Sequence, residues 1–295
     1  MNVSFLGLGT MGYPMAGHLQ QQGFALTVYN RNNAKALAWK QEYVGTLAES
    51  VGDAVAQADV VLLCVGNDDD VRQICYGDEG VIANMQKGAI LVDHTTTSAE
   101  VAKEVSRACE RHGKHFLDAP VSGGEIGAQN GQLTIMVGGD QVVFDQAKPA
   151  LNCYAKQLTL LGEVGAGQTC KMVNQLCIAG ILQGLSEGLT LAQKSGLDVV
   201  QVRDVLKHGA AQSWQLEQRA ETIAKGEFDF GFAIDWMRKD LNICLDHAKT
   251  IKLDLPLADM VDQAYSELQK RGHNRCDTSV LIKATQAGLI KNTGR

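Results

Sequence analysis

Lys171 stands early in an apolar, helix-forming run, Gly165-Ala166-Gly167-Gln168-Thr169-Cys170-Lys171-Met172-Val173-Asn174. A helix N-terminus and partial burial both disfavour an ammonium, the condition a general acid/base working near neutral pH requires. Asn174 follows three residues on and shares its helical face. The same spacing equally suits a lysine that snorkels at a domain edge. A second cluster is Asp118-Ala119-Pro120-Val121-Ser122-Gly123-Gly124. At a strand's carboxyl end, the Ser122 hydroxyl and backbone N–H groups of Gly123 and Gly124 can hold a carboxylate, although an ordinary glycine turn reads the same way.

A third cluster opens the chain. Gly7-Leu8-Gly9-Thr10-Met11-Gly12 follows the apolar run Val3–Leu6 and precedes a helical stretch, Tyr13–Gln22. Strand, tight glycine turn and helix are the context in which G-x-G-x-x-G binds a dinucleotide, with the pyrophosphate on the helix N-terminus. The next apolar run ends at Tyr29 and is followed by Asn30-Arg31-Asn32, with no acid for a ribose 2′-hydroxyl. Arg31 can pair a 2′-phosphate through its planar fork, which favours NADP over NAD. If Arg31 stacks on adenine or faces solvent instead, NAD preference remains open. The hydroxyls of Asp93-His94-Thr95-Thr96-Thr97 would face the nicotinamide, while Thr97 or Ser98 caps the following helix. Of the seven histidines only His94, beside these threonines, invites attention.

These groups need a scaffold. Short apolar runs at Val3–Leu6, Ala25–Tyr29, Val60–Val65, Ile90–Asp93, His115–Asp118, Leu133–Val137 and Gln157–Leu161 alternate with amphipathic stretches such as Glu100–Arg111 and Val142–Leu151. That pattern predicts an α/β fold, an N-terminal Rossmann-like doubly wound and mainly parallel sheet. From Ala166 to about Lys194 one helical run without proline follows, then helices only from Asp198 to about Ala287. The expected organisation is a dinucleotide-binding domain over 1–162, an interdomain helix over 163–194 and an all-α substrate and oligomerisation domain over 195–295, with Lys291–Arg295 frayed.

Bulk properties narrow the partners. The 295 residues are 45% hydrophobic and 20% charged, as in a soluble globular protein, and the net charge of −6 offers no basic face for nucleic acid or an anionic membrane. No stretch approaches the length of a membrane span. The first strand begins almost at Met1, so no signal peptide is expected and a cytoplasmic location follows, although a chain freed from an organellar presequence would look the same. The eight cysteines show no C-x-x-C and no zinc-ligand spacing with histidine, so no metal is expected. They read as mostly buried thiols.

Together these motifs resemble the β-hydroxyacid dehydrogenase family, which includes 3-hydroxyisobutyrate dehydrogenase, tartronate semialdehyde reductase and glyoxylate/succinic semialdehyde reductases. The resemblance covers essentially the whole chain. It rests on Gly7–Gly12 with Pro14-Met15-Ala16, on Asp118–Gly124 with Gly131, on Gly165-x-Gly167-x-x-x-Lys171-x-x-Asn174, and on Lys239-Asp240, otherwise an ordinary surface pair. It implies that Lys171 is the acid/base and that Asn174 holds substrate beside it. Ser122, Gly123 and Gly124 would bind the substrate carboxylate. Thr96 and Lys239 would reach both substrate and nicotinamide, and Val65-Gly66-Asn67 would line the cofactor. The site would lie in the cleft between the domains, in a homodimer or homotetramer. Pocket size would depend on residues such as Trp214, Phe230, Phe232 and Trp236, of which Trp214 and Phe232 are candidate walls, although single aromatics on helices are more often core.

Three departures stand out. Many members carry Asn four residues after the lysine, where this chain has Gln175. Tartronate semialdehyde reductases resemble its Lys-x-x-Asn-Gln order, so either Asn174 or Gln175 could contact substrate. The usual Leu-Pro after the third long strand is replaced by Val65-Gly66-Asn67, which predicts a looser loop. The Asn-Arg turn after Tyr29 is that of NADP-preferring relatives. The expected activity is hydride transfer between a nicotinamide and a small carboxylated aldehyde or hydroxyacid. An imine reductase is the alternative within enzymes, though those usually lack the lysine. A catalytically silent NADP-binding interaction module is the alternative outside them.

Overall fold

Valine, isoleucine and leucine dominate the central strands Val60–Leu63 and Ile90–Asp93, where every residue is buried because both faces of the sheet are covered. In the computed structural model, which describes residues 1–290, the chain divides into two compact units, Met1–Lys171 and Met172–Arg295. The first runs β1 (Asn2–Leu6), α1 (Gly12–Gln21), β2 (Ala25–Tyr29), α2 (Asn33–Glu42), β3 (Thr46–Leu47), α3 (Val51–Val55), β4 (Val60–Leu63), α4 (Asp68–Cys75), α5 (Val81–Asn84), β5 (Ile90–Asp93), α6 (Ala99–Arg111) and β6 (His115–Asp118). It continues through β7 (Val121–Ser122), α7 (Gly124–Gln129), β8 (Leu133–Gly138), α8 (Gln141–Leu151) and β9 (Ala155–Gly162) into α9 (Ala166–Lys194), which ends in the second unit.

The strand order is β3-β2-β1-β4-β5-β6-β8-β7, with β9 beside β8. The first six are parallel neighbours in the doubly wound order, and the direction of winding reverses between β1 and β4, where such sheets bind ligands at their carboxyl ends. Successive residues point to opposite faces. Val60 and Leu62 join the apolar cluster under α1, α2 and α8, while Val61 and Leu63 join the one under α3 to α6. The fold is thus the α/β, mainly parallel architecture expected, followed by helices.

The differences have local causes. β3 and β7 have two residues each, too few to show a period. β8 runs antiparallel to β6, and β7 keeps the register in which β6 meets it. The two are one strand interrupted at Ala119–Pro120, where proline lacks an N–H. β4 stops at Leu63 rather than Val65, because the Val65 N–H donates to Thr95 Oγ1 at 3.0 Å. No cysteine is in a disulfide, but only Cys75, Cys109 and Cys244 are buried and Cys177 is exposed, which corrects the expectation of mostly buried thiols.

The second unit contains the rest of α9, then α10 (Val199–Leu206), α11 (Trp214–Lys225), α12 (Ile234–Thr250), α13 (Pro256–Lys270) and α14 (Leu281–Gln286). Their apolar faces meet in one cluster around Leu182, Leu216, Met237, Leu241, Val261, Tyr265 and Leu281. The expected fraying of Lys291–Arg295 lies outside the described residues. Among the described residues no helix is long and apolar enough to cross a membrane, and no group of three or more His, Cys, Asp or Glu could hold a metal.

His94 closes the carboxyl end of β5. It is buried, with Nδ1 2.7 Å from the Ala119 carbonyl and Nε2 2.9 Å from the Tyr154 hydroxyl. A carbonyl only accepts, so Nδ1 carries the proton and Nε2 accepts from tyrosine. Burial pulls the imidazole down to about 4 from its ordinary 6.5. Because the folded value is depressed, this stabilisation is complete above 6.5 and is lost as pH falls toward 4. Between about pH 7.5 and about pH 5 the loss is about 2 kcal/mol. Urea unfolding should show the wild type losing about that much more than His94→Gln over this range. Equal losses would show that His94 does not titrate this way.

Candidate active site

Two of the fingerprint glycines are needed for packing and the third leaves room. Gly7 has φ +99°, and a Cβ there would lie 2.1 Å from the Cys64 carbonyl oxygen; at Gly12 it would lie 2.0 Å from the Gly7 oxygen. At Gly9 a Cβ would meet nothing within 4 Å. No side chain caps α1 and its first turn carries no acid, whereas Asn32, Asn67 and Ser98 cap α2, α4 and α6. Open space at Gly9 beside an uncapped helix start fits a dinucleotide pyrophosphate. Leu8 N–H donates to Asn30 Oδ1 at 2.8 Å and Asn30 Nδ2 donates to the Asn32 carbonyl at 2.9 Å, so Asn30 ties the first two turns together. Thr10 is exposed and Met11 half-buried. The Arg31 side chain is 79% exposed and stands 3.5 Å from Asp70. The Val65-Gly66-Asn67 loop, expected to be loose, has two anchors: Val65 on Thr95, and Asn67 Oδ1 on the Asp70 N–H at 2.9 Å.

The start of α9 is docked on a buried acid. Asp118, at the end of β6, accepts the Gly165 N–H at 2.7 Å and the Gln168 N–H at 2.8 Å. A Cβ at Gly167 would lie 2.4 Å from the Met136 carbonyl oxygen and 2.8 Å from an Asp118 carboxylate oxygen, which explains Gly165-x-Gly167 as a close approach of helix to sheet. Burial pushes Asp118 up to about 6, against the pull of the backbone N–H groups it accepts. Gln168 is buried; its Nε2 donates to the Thr95 carbonyl at 2.7 Å and its Oε1 accepts the Thr97 N–H at 3.1 Å. The half-buried Thr96 is therefore gripped on both sides. One turn beyond Gln168, Lys171 is 8% exposed. Ser122 is half-buried, Gly123 and Gly124 are exposed with φ +131° and +62°, and a Cβ at Gly124 would meet nothing within 4 Å. Leu8 with Asn30, Val65 with Thr95, Thr97 with Gln168, and Asp118 with Gly165 and Gln168 thus meet at the carboxyl ends of β1, β2, β4, β5 and β6.

Within the second unit a buried acid organises three more candidates. Gln175, 3% exposed, donates from Nε2 to Asp240 Oδ2 at 2.6 Å and accepts from Asn174 Nδ2 at 2.8 Å. Lys239 Nζ lies 3.1 Å from the other Asp240 oxygen. Gln175 is occupied by Asp240, and Asn174 is the more exposed of the two. Asp240, 2% exposed, is no surface residue, contrary to the reading of Lys239-Asp240 in isolation. A second acid, Asp277, is fully buried and receives Arg219 through Nε at 3.0 Å and Nη2 at 3.3 Å. It also accepts the Phe232 N–H at 3.0 Å and the Ser279 hydroxyl at 2.6 Å. Trp214 and Phe230 lie against the Arg219 guanidinium at 4.8 and 4.9 Å, and Trp214 stays 48% exposed. Phe232 and Trp236 remain 38% exposed. Gln168, Arg219 and Asp277 were not singled out from sequence. Their partners lie tens of residues away, where no local spacing signals them.

Comparison with known proteins decides the family. Residues 2–162 match the NAD-binding domain of 6-phosphogluconate dehydrogenase, and residues 165–285 match the NAD-binding domain of NADP-dependent 3-hydroxyisobutyrate dehydrogenase. The chain belongs to the β-hydroxyacid dehydrogenase family. A Shewanella frigidimarina oxidoreductase is 56% identical over 280 residues, covering 95% of this chain and 96% of that protein. The 2-hydroxy-3-oxopropionate reductase of Escherichia coli is 37% identical, covering 97% of each. The structure of Mycobacterium tuberculosis 3-hydroxyisobutyrate dehydrogenase with L-serine superimposes with a TM-score of 0.87 at 31% identity, covering 97% of this chain and 99% of that one. This β-hydroxyacid dehydrogenase is accordingly an NAD(P)-dependent oxidoreductase of the CH–OH group. In it, Asp277→Ala would strand a buried guanidinium and the Phe232 N–H. Chemical denaturation should register a loss of about 3–5 kcal/mol; a loss below about 1 kcal/mol, the scale of a surface pair, would refute the node's importance.

Proposed function

We propose that this β-hydroxyacid dehydrogenase is an NADP-preferring reductase of small aldehyde acids, running in reverse on the matching hydroxyacids, with Lys171 as general acid/base. The observation that carries the reading is a lysine 8% exposed, one turn past a helix start docked on Asp118. A bound nicotinamide supplies the hydride exchange. In reduction Lys171 Nζ gives a proton to the oxygen of the carbonyl being reduced; in oxidation it takes the proton from the hydroxyl. The Ser122 hydroxyl and the N–H groups of Gly123 and Gly124 hold the substrate carboxylate, with Lys239 as a second cation. Asn174 holds the reacting oxygen near Lys171, Thr96 borders nicotinamide and substrate, and Phe232 supplies an apolar wall. The positions Gly7 to Gly12, Asn30 to Asn32 and Val65 to Asn67 frame the dinucleotide. The relative named for 2-hydroxy-3-oxopropionate supports the substrate class, since that molecule carries an aldehyde and a carboxylate on three carbons. The absence of an acid after Tyr29 and the presence of Arg31 support NADP.

Oxidation of NADPH and NADH should be followed with glyoxylate, tartronate semialdehyde, succinic semialdehyde and methylmalonate semialdehyde. Turnover of at least one, faster with NADPH, is expected; silence with all four, with NADPH still bound, overturns the substrate class. Lys171→Ala should lower kcat by at least about a hundredfold with NADPH affinity kept, and near-normal turnover would remove Lys171 from the chemistry. Arg31→Asp should move the NADPH/NADH ratio toward NADH. An unchanged ratio would end the assignment of Arg31 to the 2′-phosphate.

A further inference from the structure

Three acids, Asp68, Asp69 and Asp70, stand in the first turn of α4, and each has a different partner. Asp68 accepts the Ser98 N–H at 3.1 Å and the Ser98 hydroxyl at 2.6 Å, joining α4 to the start of α6. Asp69 lies 3.5 Å from Arg72 on its own helix. Asp70 lies 3.5 Å from the guanidinium of Arg31, in the turn after β2. The two are unequal: the Asp70 side chain is 29% exposed on a backbone held by Asn67, while the Arg31 side chain is 79% exposed on a long stem. In this pair the acid is anchored and the cation is the part that can swing.

We propose that Asp70 is a specificity-determining residue of the cofactor site, competing with the 2′-phosphate of NADP for Arg31 and so narrowing the preference over NAD. The proposal rests on the reading of Arg31 as the 2′-phosphate partner. Arg31 reaches Asp70 through a single nitrogen, Nη1, at 3.5 Å, and a two-pronged grip on a phosphate that uses Nη1 draws the guanidinium off Asp70. When NADPH is bound in that way, Arg31 leaves Asp70, and the affinity is reduced by what that pair was worth. When NADH binds, no phosphate calls on Arg31 and the pair stays closed. Asp70 therefore acts against one cofactor alone, although it stands on a different helix from the turn that recognises it. An exposed pair of this kind is screened by salt, so the effect is largest at low ionic strength.

Direct binding of NADPH and NADH, by calorimetry at low salt without substrate, tests this in wild type, Asp70→Asn, Arg31→Ala and the double variant. Asp70→Asn should bind NADPH about three- to fivefold more tightly and NADH within about twofold of wild type. Added to Arg31→Ala, it should give no gain. An equal gain for both cofactors, no gain for NADPH, or a gain that survives Arg31→Ala each overturns the proposal. If Arg31→Ala weakens NADPH while Asp70→Asn changes nothing, Asp70 alone loses its role. If Arg31→Ala binds NADPH as tightly as wild type, the reading of Arg31 falls first and this proposal with it.

Discussion

The carboxylate of Asp118 ties the end of one strand to the beginning of the longest helix, and the placing of the proposed acid/base follows from that tie. A helix start presents N–H groups that have no partner within the helix. Asp118 accepts two of them, from Gly165 and Gln168, in a buried setting where such charge-assisted bonds are strong. The backbone approach is closer than any side chain at position 167 would allow. With those two points held, the rotation of the first turns of α9 is determined. Gln168 turns inward to grip the Thr95–Thr97 segment, and Lys171 follows one turn later in a buried position.

The same sheet edge carries a second buried acid. Asp93 is the registered partner of Asp118 on the neighbouring strand, and its Oδ1 accepts the Thr95 N–H at 2.8 Å. Burial pushes Asp93 up to about 7 and Asp118 up to about 6, from an ordinary 3.8. A carboxyl raised in the folded state favours folding most where it is protonated, so this contribution declines as pH rises through those values. His94, depressed to about 4, works in the opposite sense over the same range. The strand ends thus hold opposed titrations within a few residues.

Buried acids also organise the second unit. Asp240 takes Gln175 on one oxygen and Lys239 on the other, and Gln175 in turn holds Asn174. Asp277 takes Arg219 and the backbone that carries Phe232. A buried carboxylate must be paired and hydrogen-bonded, and meeting that requirement orients the less buried groups around it. None of these acids is itself a group proposed to touch substrate; their neighbours are.

Much of this was legible in the chain. Gly7 to Gly12 between an apolar run and a helix announced a dinucleotide turn, because strand, turn and helix are local and each has its own period or residue signature. The apolar runs announced a sheet covered on both faces, and the stretch without proline announced α9. What could not be read is what depends on register and on side chains meeting from distant segments. The antiparallel β8 and the two-residue strands belong to the first kind. The docking of Gly165-x-Gly167 on Asp118, the burial of Asp240, and the placing of Trp214 and Phe230 against Arg219 belong to the second. The sequence alone determined which residue types stand near one another along the chain, and with them the cofactor turn and the family. Only the tertiary structure decided which polar groups are buried together, because the cost of burying a charge is settled by the partner the fold brings to it, not by its neighbours in sequence.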